Sequence, residues 1–185
     1  MSTKQIEKST VEIQIPDDVK VNLKGSMLHV QGPLGNAYKN FKKIPVLIEI
    51  NDNKILLKKT GERKKYLAIL NTSKSLIQTL CTGVVDGFTI KMKIVYSHFP
   101  ITVKVEGKNV LIENFQGERA PRISAIKGAT KVTVKGDDVI VTGPVLTDVS
   151  QTAANIQQKS KVKNKDHRVF LDGIYKFSKS KGIEK

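Results

Sequence analysis

At 185 residues, 39% hydrophobic and 26% charged, the chain has room for one ordinary domain or two small ones, and it is neither a disordered nor a membrane-embedded composition. Lys and Arg outnumber Asp and Glu by 32 to 17, a formal charge of +15, which points to a polyanionic partner, nucleic acid ahead of an anionic membrane. The lone cysteine, Cys81, rules out an intrachain disulfide and a thiolate zinc site, and no stretch approaches the roughly 18 apolar residues of a membrane span.

Strand signals come first along the chain. V-E-I-Q-I (11–15) alternates apolar with polar residues and stops at Pro16. The stretch 19–33 reads as strand, tight turn at Gly25-Ser26, strand, and a stop at Gly32-Pro33. A second hairpin is expected over 45–59 around Asn51-Asp52-Asn53, and further strands over 88–96 and 101–113, the latter turning at Gly107. The last hairpin spans 130–144. Two segments change to a helical period: Tyr66, Leu70, Ser73, Ile77 and Leu80, with Gly83 as a stop, and Leu146, Val149, Ala153 and Ile156. With aromatics at 5% and no Trp, the core must be aliphatic.

The order hairpin, glycine, hairpin, helix occurs twice. Val21, Leu23, Gly25, Leu28 and Val30 map onto Val103, Val105, Gly107, Val110 and Ile112 at an offset of 82, and Ile48 to Leu57 onto Val132 to Val141 at 84. Against this, 20–33 matches 131–144 better residue for residue, with seven identities in fourteen. The expected fold is α+β: two tandem duplicated small domains, each an antiparallel or mixed sheet with one packed helix, plus a basic carboxyl-terminal tail. The divisions are an extension over 1–9, repeats over 10–82 and 83–160, and a tail over 161–185.

Charge is unevenly spread. Residues 37–65 hold nine Lys/Arg against three acids and residues 151–185 again nine against three, whereas 1–36 is balanced. Such zones suit phosphates. Enzyme chemistry is poorly supplied: no phosphate-binding glycine loop, no H-E-x-x-H and no G-x-S-x-G occurs. Gly136-Asp137-Asp138 could hold Mg²⁺ only with a third carboxylate, and Asp is what a hairpin turn favours. His29, His98 and His167 form no cluster in sequence, and Cys81 fits a helix core. No catalytic residue, metal, cofactor or small-molecule substrate is expected. The amino end lacks an apolar run of signal-peptide type, so a cytosolic or nuclear compartment is expected.

Three segments combine cations with aromatics or tight turns. Residues 87–100 put Lys91 and Lys93 on one strand face, with Ile90, Met92 and Ile94 on the other. Residues 113–122 place Arg119 and Arg122 in a Gly/Pro loop, where they could grip phosphates or base edges bidentately. Residues 160–182 carry Lys161, Lys163, Asn164, Lys165, Arg168 and Lys176, with Phe170, Tyr175 and Phe177. This tail is expected to stay disordered until phosphates neutralise it. Phe170 and Tyr175 either anchor the tail on the second domain or stack on bases.

The strings K-M-K-I-V-Y-S-H-F-P-I (91–101), I-E-N-F-Q-G-E (112–118) and V-K-N-K-D-H-R-V-F-L-D-G-I-Y (162–175) resemble the large-subunit ribosomal proteins called L six in bacteria and L nine in eukaryotes. The eukaryotic and archaeal branch is the nearer one, although His167 stands where that family usually has an aliphatic residue. The resemblance implies a duplicated α+β fold and a structural place in the large ribosomal subunit. It implies that the second domain and tail bind large-subunit ribosomal RNA near the sarcin–ricin loop and stalk base, beside other ribosomal proteins and docking translational GTPases. It also implies residence in cytoplasmic ribosomes after nucleolar assembly. The alternative is a free-standing RNA- or DNA-binding regulator, which would need a recognition helix rich in Arg, Asn or Gln.

Overall fold

Three of the hairpins turn on a glycine in the left-handed region, Gly25 at φ +62°, Gly107 at +57° and Gly136 at +58°, where an L side chain would be strained. These two-residue turns set the register of everything around them. The computed structural model describes residues 10–51, 53–166 and 168–183, so the extension 1–9 and His167 lie outside the described residues.

The chain divides into two units, Met1–Val85 and Asp86–Lys185. In the first, β1 (Thr10–Gln14), β2 (Lys20–Lys24), β3 (Met27–Gly32), β4 (Gly35–Asn40), β5 (Val46–Asn51) and β6 (Lys54–Lys59) precede α1 (Lys64–Val85). Two antiparallel sheets result, ordered β2-β3-β4 and β1-β6-β5. The second unit runs β7 (Phe88–Val95), β8 (Thr102–Glu106), β9 (Asn109–Glu113), β10 (Arg122–Ala125), β11 (Lys131–Lys135), β12 (Asp138–Gly143), α2 (Leu146–Lys159) and β13 (Gly173–Lys181). Its sheets are β8-β9-β10 and β11-β12-β7-β13. Without β13 the two strand orders are the same, as a duplicated fold requires. Lys24 opposite Met27 becomes Glu106 opposite Asn109, an offset of 82. Asn51 opposite Lys54 becomes Lys135 opposite Asp138, an offset of 84. The closer identity between 20–33 and 131–144 therefore reflects shared turn chemistry, since those hairpins occupy different sheets.

Each unit buries its own aliphatic core. Leu28, Val30, Ile55, Leu57, Leu70, Ile77 and Val84 are fully buried in the first. In the second, Ile90 and Met92 of β7, Ile112 of β9, Val139 and Val141 of β12 and Ile174 of β13 close on Val149, Ala153 and Ile156 of α2. The three- and four-residue spacing of the buried helical positions explains why one face suffices. Some polar groups caught there are satisfied: Ser73 donates to the Ile69 carbonyl (2.9 Å), and the Thr152 hydroxyl accepts the Lys127 N–H (3.0 Å), whereas the buried Ser124 and Thr130 hydroxyls have no partner.

Three expectations need correction, and one strand was not expected. Gly83 does not end α1, which continues to Val85 and lets Gly87, at φ +78°, make the turn. The Val84 carbonyl accepts the Leu34 N–H (2.9 Å), and a Cβ at Gly32 would lie 2.7 Å from the Val84 side chain, so the helix end is clamped onto the β3–β4 turn. G-N-A-Y-K-N, passed over in the sequence, is β4; it buries only Ala37. The end of the supposed Gly/Pro loop is β10. Much of the tail expected to be disordered is a strand: Gly173 to Lys181 pairs antiparallel with β7, with a bulge at Phe177. Its alternation of Lys with Ser seats Ser178 and Ser180 half-buried while Lys176, Lys179 and Lys181 stay exposed. Thr89 caps the arrangement by donating to the Gly182 carbonyl (2.6 Å).

Candidate nucleic-acid interface

Between β9 and β10 the chain makes a strained turn. Asn114 (φ +55°), Gln116 (+52°) and Gly117 (+79°) are all left-handed, and such a conformation costs a non-glycine residue about 1–2 kcal/mol. Two anchors hold it. Phe115 is buried in the core, and the Asn114 side-chain amide donates to the Pro100 carbonyl (3.0 Å).

Arg122 completes the brace. Its Nε and Nη2 grip both carboxylate oxygens of Glu118 at 2.7 and 2.5 Å, while Nη1 donates to the carbonyls of Lys159 (2.8 Å) and Lys161 (3.1 Å). Its guanidinium also lies over the Phe115 ring at 4.0 Å. The hydrogen bond from Arg122 holds the Glu118 carboxyl below its ordinary range; partial burial opposes this, and the charges of Arg122 and Lys163 add to it. Arg122 thus satisfies open carbonyls at the carboxyl end of α2 and sets the direction of the following segment. Its fork is turned inward, whereas Arg119, three residues earlier, is exposed.

Beyond α2, Ser160 is buried and bridges two elements: its hydroxyl accepts the Ile174 N–H (3.0 Å) and donates to the Gln157 carbonyl (3.2 Å). This pins the start of β13 to the helix end. Lys161, Lys163, Asn164 and Lys165 are exposed on the connecting segment, with Asn164 left-handed at φ +58°. Lys165 lies over the Phe170 ring at 4.8 Å, and Arg168 forks onto Asp166 at 3.1 and 2.9 Å while its side chain stays 90% exposed. Tyr175 folds back over Gly173, where a Cβ would meet its ring at 2.9 Å, and donates to the Leu171 carbonyl (3.1 Å).

The remaining expected residues lie on the sheet. Lys91 and Lys93 sit on the face of β7 opposite buried Ile90, Met92 and Ile94; Lys93 pairs with Asp138 at 3.1 Å and has Tyr175 as its neighbour across β13. Asp138 thereby serves a cross-strand ion pair. Lys176 is exposed on the outer strand.

A concavity of about 910 Å³ between the β9–β10 edge and α2 escaped the sequence reading. Asn109, Lys127, Gln151, Asn155, Gln158, Lys159 and Lys163 line it, with the partnerless Ser124 hydroxyl in its wall. Asn155 is oriented by donating to the Ala125 carbonyl (3.3 Å) and accepting from Gln151 (2.9 Å). Among the described residues no carboxylate pairs with Lys127, Lys159 or Lys163. The only hint in the sequence was the carboxamide spacing of four on the polar side of α2. Carboxamides that both donate and accept, rimmed by lysines, match the 2′-hydroxyls and phosphates of an A-form minor groove.

Residues 99–173 match the family described as Ribosomal protein L6. The large ribosomal subunit protein uL6 of Methanosarcina mazei is 44% identical over 163 residues, 88% of this chain and 93% of the relative. Those of Methanobrevibacter smithii and Thermoplasma volcanium are 45% and 46% identical, covering 91% and 90% of this chain and 94% of each relative. Identity of this level across nearly the whole of both chains places the chain in the uL6 family of large ribosomal subunit proteins.

Proposed function

We propose that the protein is a structural constituent of the large ribosomal subunit that holds large-subunit ribosomal RNA mainly through its second unit. The observation that carries this is the concavity beside α2, lined together by carboxamides and by three lysines that have no ion-pair partner among the described residues. Each lysine meeting a phosphate releases condensed counterions, and the carboxamides read the shape of the groove without demanding a sequence. Lys161, Lys165, Arg168 and Arg119 extend the same cationic end, with Lys91, Lys93 and Lys176 as a second contact on the sheet. Arg122 acts by bracing this surface. The family resemblance adds the location, near the sarcin–ricin loop and stalk base, beside translational GTPases on cytoplasmic ribosomes.

A free-standing regulator fits less well, because the carboxamides of α2 form the floor of a hollow and not a protruding helix able to enter a major groove. Sucrose-gradient sedimentation of a lysate tests the proposal. The untagged protein should travel with the large subunit at moderate salt and be stripped from it as salt rises. Its absence from that peak would overturn the reading.

A further inference from the structure

A second, smaller pocket of about 220 Å³ lies where the segment after β7, the strained turn and the segment before β13 meet. We infer that it holds the base of a single unpaired nucleotide of the bound RNA, an inference that rests on the RNA-binding reading above. Phe99 and Phe170 line it and remain 42% and 39% exposed, so the chain itself leaves these rings partly uncovered. The walls are fixed. The Asp172 carboxylate accepts the Ser97 N–H (2.9 Å), His98 meets Phe99 edge to face at 4.8 Å, and Phe99 packs so closely on Gly117 that a Cβ there would touch its ring at 3.3 Å.

Two features single out a base. Gln116, held at φ +52°, lines the pocket with its side-chain amide nitrogen buried and without a partner, a donor that an acceptor on a base edge would satisfy. Lys165 lines the pocket and lies over the Phe170 ring, a cation within reach of a bound nucleotide's phosphate. The volume is below the roughly 300–1,000 Å³ of sites that take a whole drug-sized ligand, which suits one flat ring system. An apolar side chain from a protein partner would fill the pocket but give nothing to Gln116 or Lys165. Bases inside a duplex keep their faces stacked, so the occupant is a nucleotide turned out of a loop or bulge.

The test uses the full chain with large-subunit ribosomal RNA of an archaeal relative transcribed in vitro, titrated across a salt series. Phe99→Leu keeps the site apolar but removes the stacking face; Gln116→Asn keeps a side chain tolerant of the left-handed backbone but withdraws the amide. Phe99→Leu should weaken binding about tenfold, within the range of a base–aromatic stack, and leave the salt slope unchanged. Gln116→Asn should weaken it several-fold, while Lys165→Ala should lower the slope by roughly 0.7. Dimethyl sulfate probing should reveal an unpaired base protected by the wild-type chain and exposed again with Phe99→Leu. Normal wild-type binding with undiminished affinity and an identical footprint for both variants would overturn the pocket and leave the RNA-binding reading standing. A fall in salt slope for Phe99→Leu would also overturn it, by showing lost phosphate contacts. Failure of the wild-type chain to bind the RNA at all would overturn both. A benzophenone side chain at position 99 that cross-links to protein instead of RNA in assembled subunits would assign the pocket to a protein partner and refute the inference.

Discussion

The two units share a strand order, yet they handle the same connection differently. The first crosses from β3 to β4 in two residues, Pro33 and Leu34, whereas the second takes eight, Asn114 to Pro121, between β9 and β10. Its helix has 14 residues against 22, and the chain beyond it returns as β13. Ion pairs cross the sheets of both units, as Lys93–Asp138 and Lys104–Glu113 do in the second, so the contrast lies in the lysines at the concavity. In the first unit Lys54 pairs with Glu12 (3.2 Å) and Lys58 with Glu49 (2.8 Å) across neighbouring strands. In the second, Lys127, Lys159 and Lys163 have no such carboxylate among the described residues. The repeat supplies two equivalent cores; the proposed RNA surface uses the β9–β10 edge and α2 of the second one, extended by the chain added after that helix.

The most forceful way to break this comparison is to empty one core at a time. Ile77→Ala and Ile156→Ala each remove fully buried side-chain atoms, at a cost of about 2–5 kcal/mol. If the units are separate cores, hydrogen exchange with Ile156→Ala should accelerate for the amides of β7 and β12 while β3 and β6 keep their protection, and Ile77→Ala should do the reverse. Equal loss in both units would make them one cooperative body.

Charge removal comes next. Changing Lys127, Lys159 and Lys163 together to Ala should lower the slope of log binding constant against log salt by about 2, at roughly 0.7–0.9 per lost phosphate contact. The same change at Lys58, Lys59, Lys64 and Lys65 should leave it nearly unaltered. A larger drop for the first-unit variant would move the RNA surface to the other half of the chain.

Ser160→Ala probes the join between helix and added strand. It leaves the Ile174 N–H buried without its acceptor, at about 1–3 kcal/mol, and should be seen as faster exchange along β13 ahead of α2. Unchanged protection of β13 would show that pairing with β7 holds the strand unaided.

The smallest effect is a pH effect confined to the second unit. Because the folded-state value of Glu118 is lowered, the stability it contributes is present above its unfolded value, near 4.5, and is lost as pH falls through the lower folded value. Acidification below about pH 4.5 should loosen the turn at 114–121 and the end of α2 in NMR spectra, and Glu118→Gln should remove that dependence. No equivalent transition is expected at the β3–β4 turn.

Most of the sheet framework was legible because aliphatic alternation and lysine–glycine or glutamate–glycine turns are local signals. The missed strands each buried too little to show a period: Ala37 alone in β4, Ser124 alone in β10, Gly173 and Ile174 in β13. Basic segments were visible as charge, but the work of individual cations was not. Arg122 meets backbone carbonyls 37 and 39 residues away, and such partners leave no trace in spacing. Likewise Gln151, Asn155 and Lys159 look like an ordinary solvated helix face until the β9–β10 edge stands opposite them.

The late position of β13 bears on how the chain is made. While synthesis has not reached Gly173, β7 has β12 on one side and an open row of amides and carbonyls on the other. F-T-I-K-M-K-I-V is long, β-branched and apolar on one face, the kind of edge that recruits strands from neighbouring molecules. Lys91 and Lys93 place charge on its other face, where it discourages stacking in the interval before the sheet is complete. A chain stopped before Gly173 keeps that edge permanently. Truncation at this point therefore leaves a sticky nascent fragment as well as removing part of the proposed RNA-binding surface.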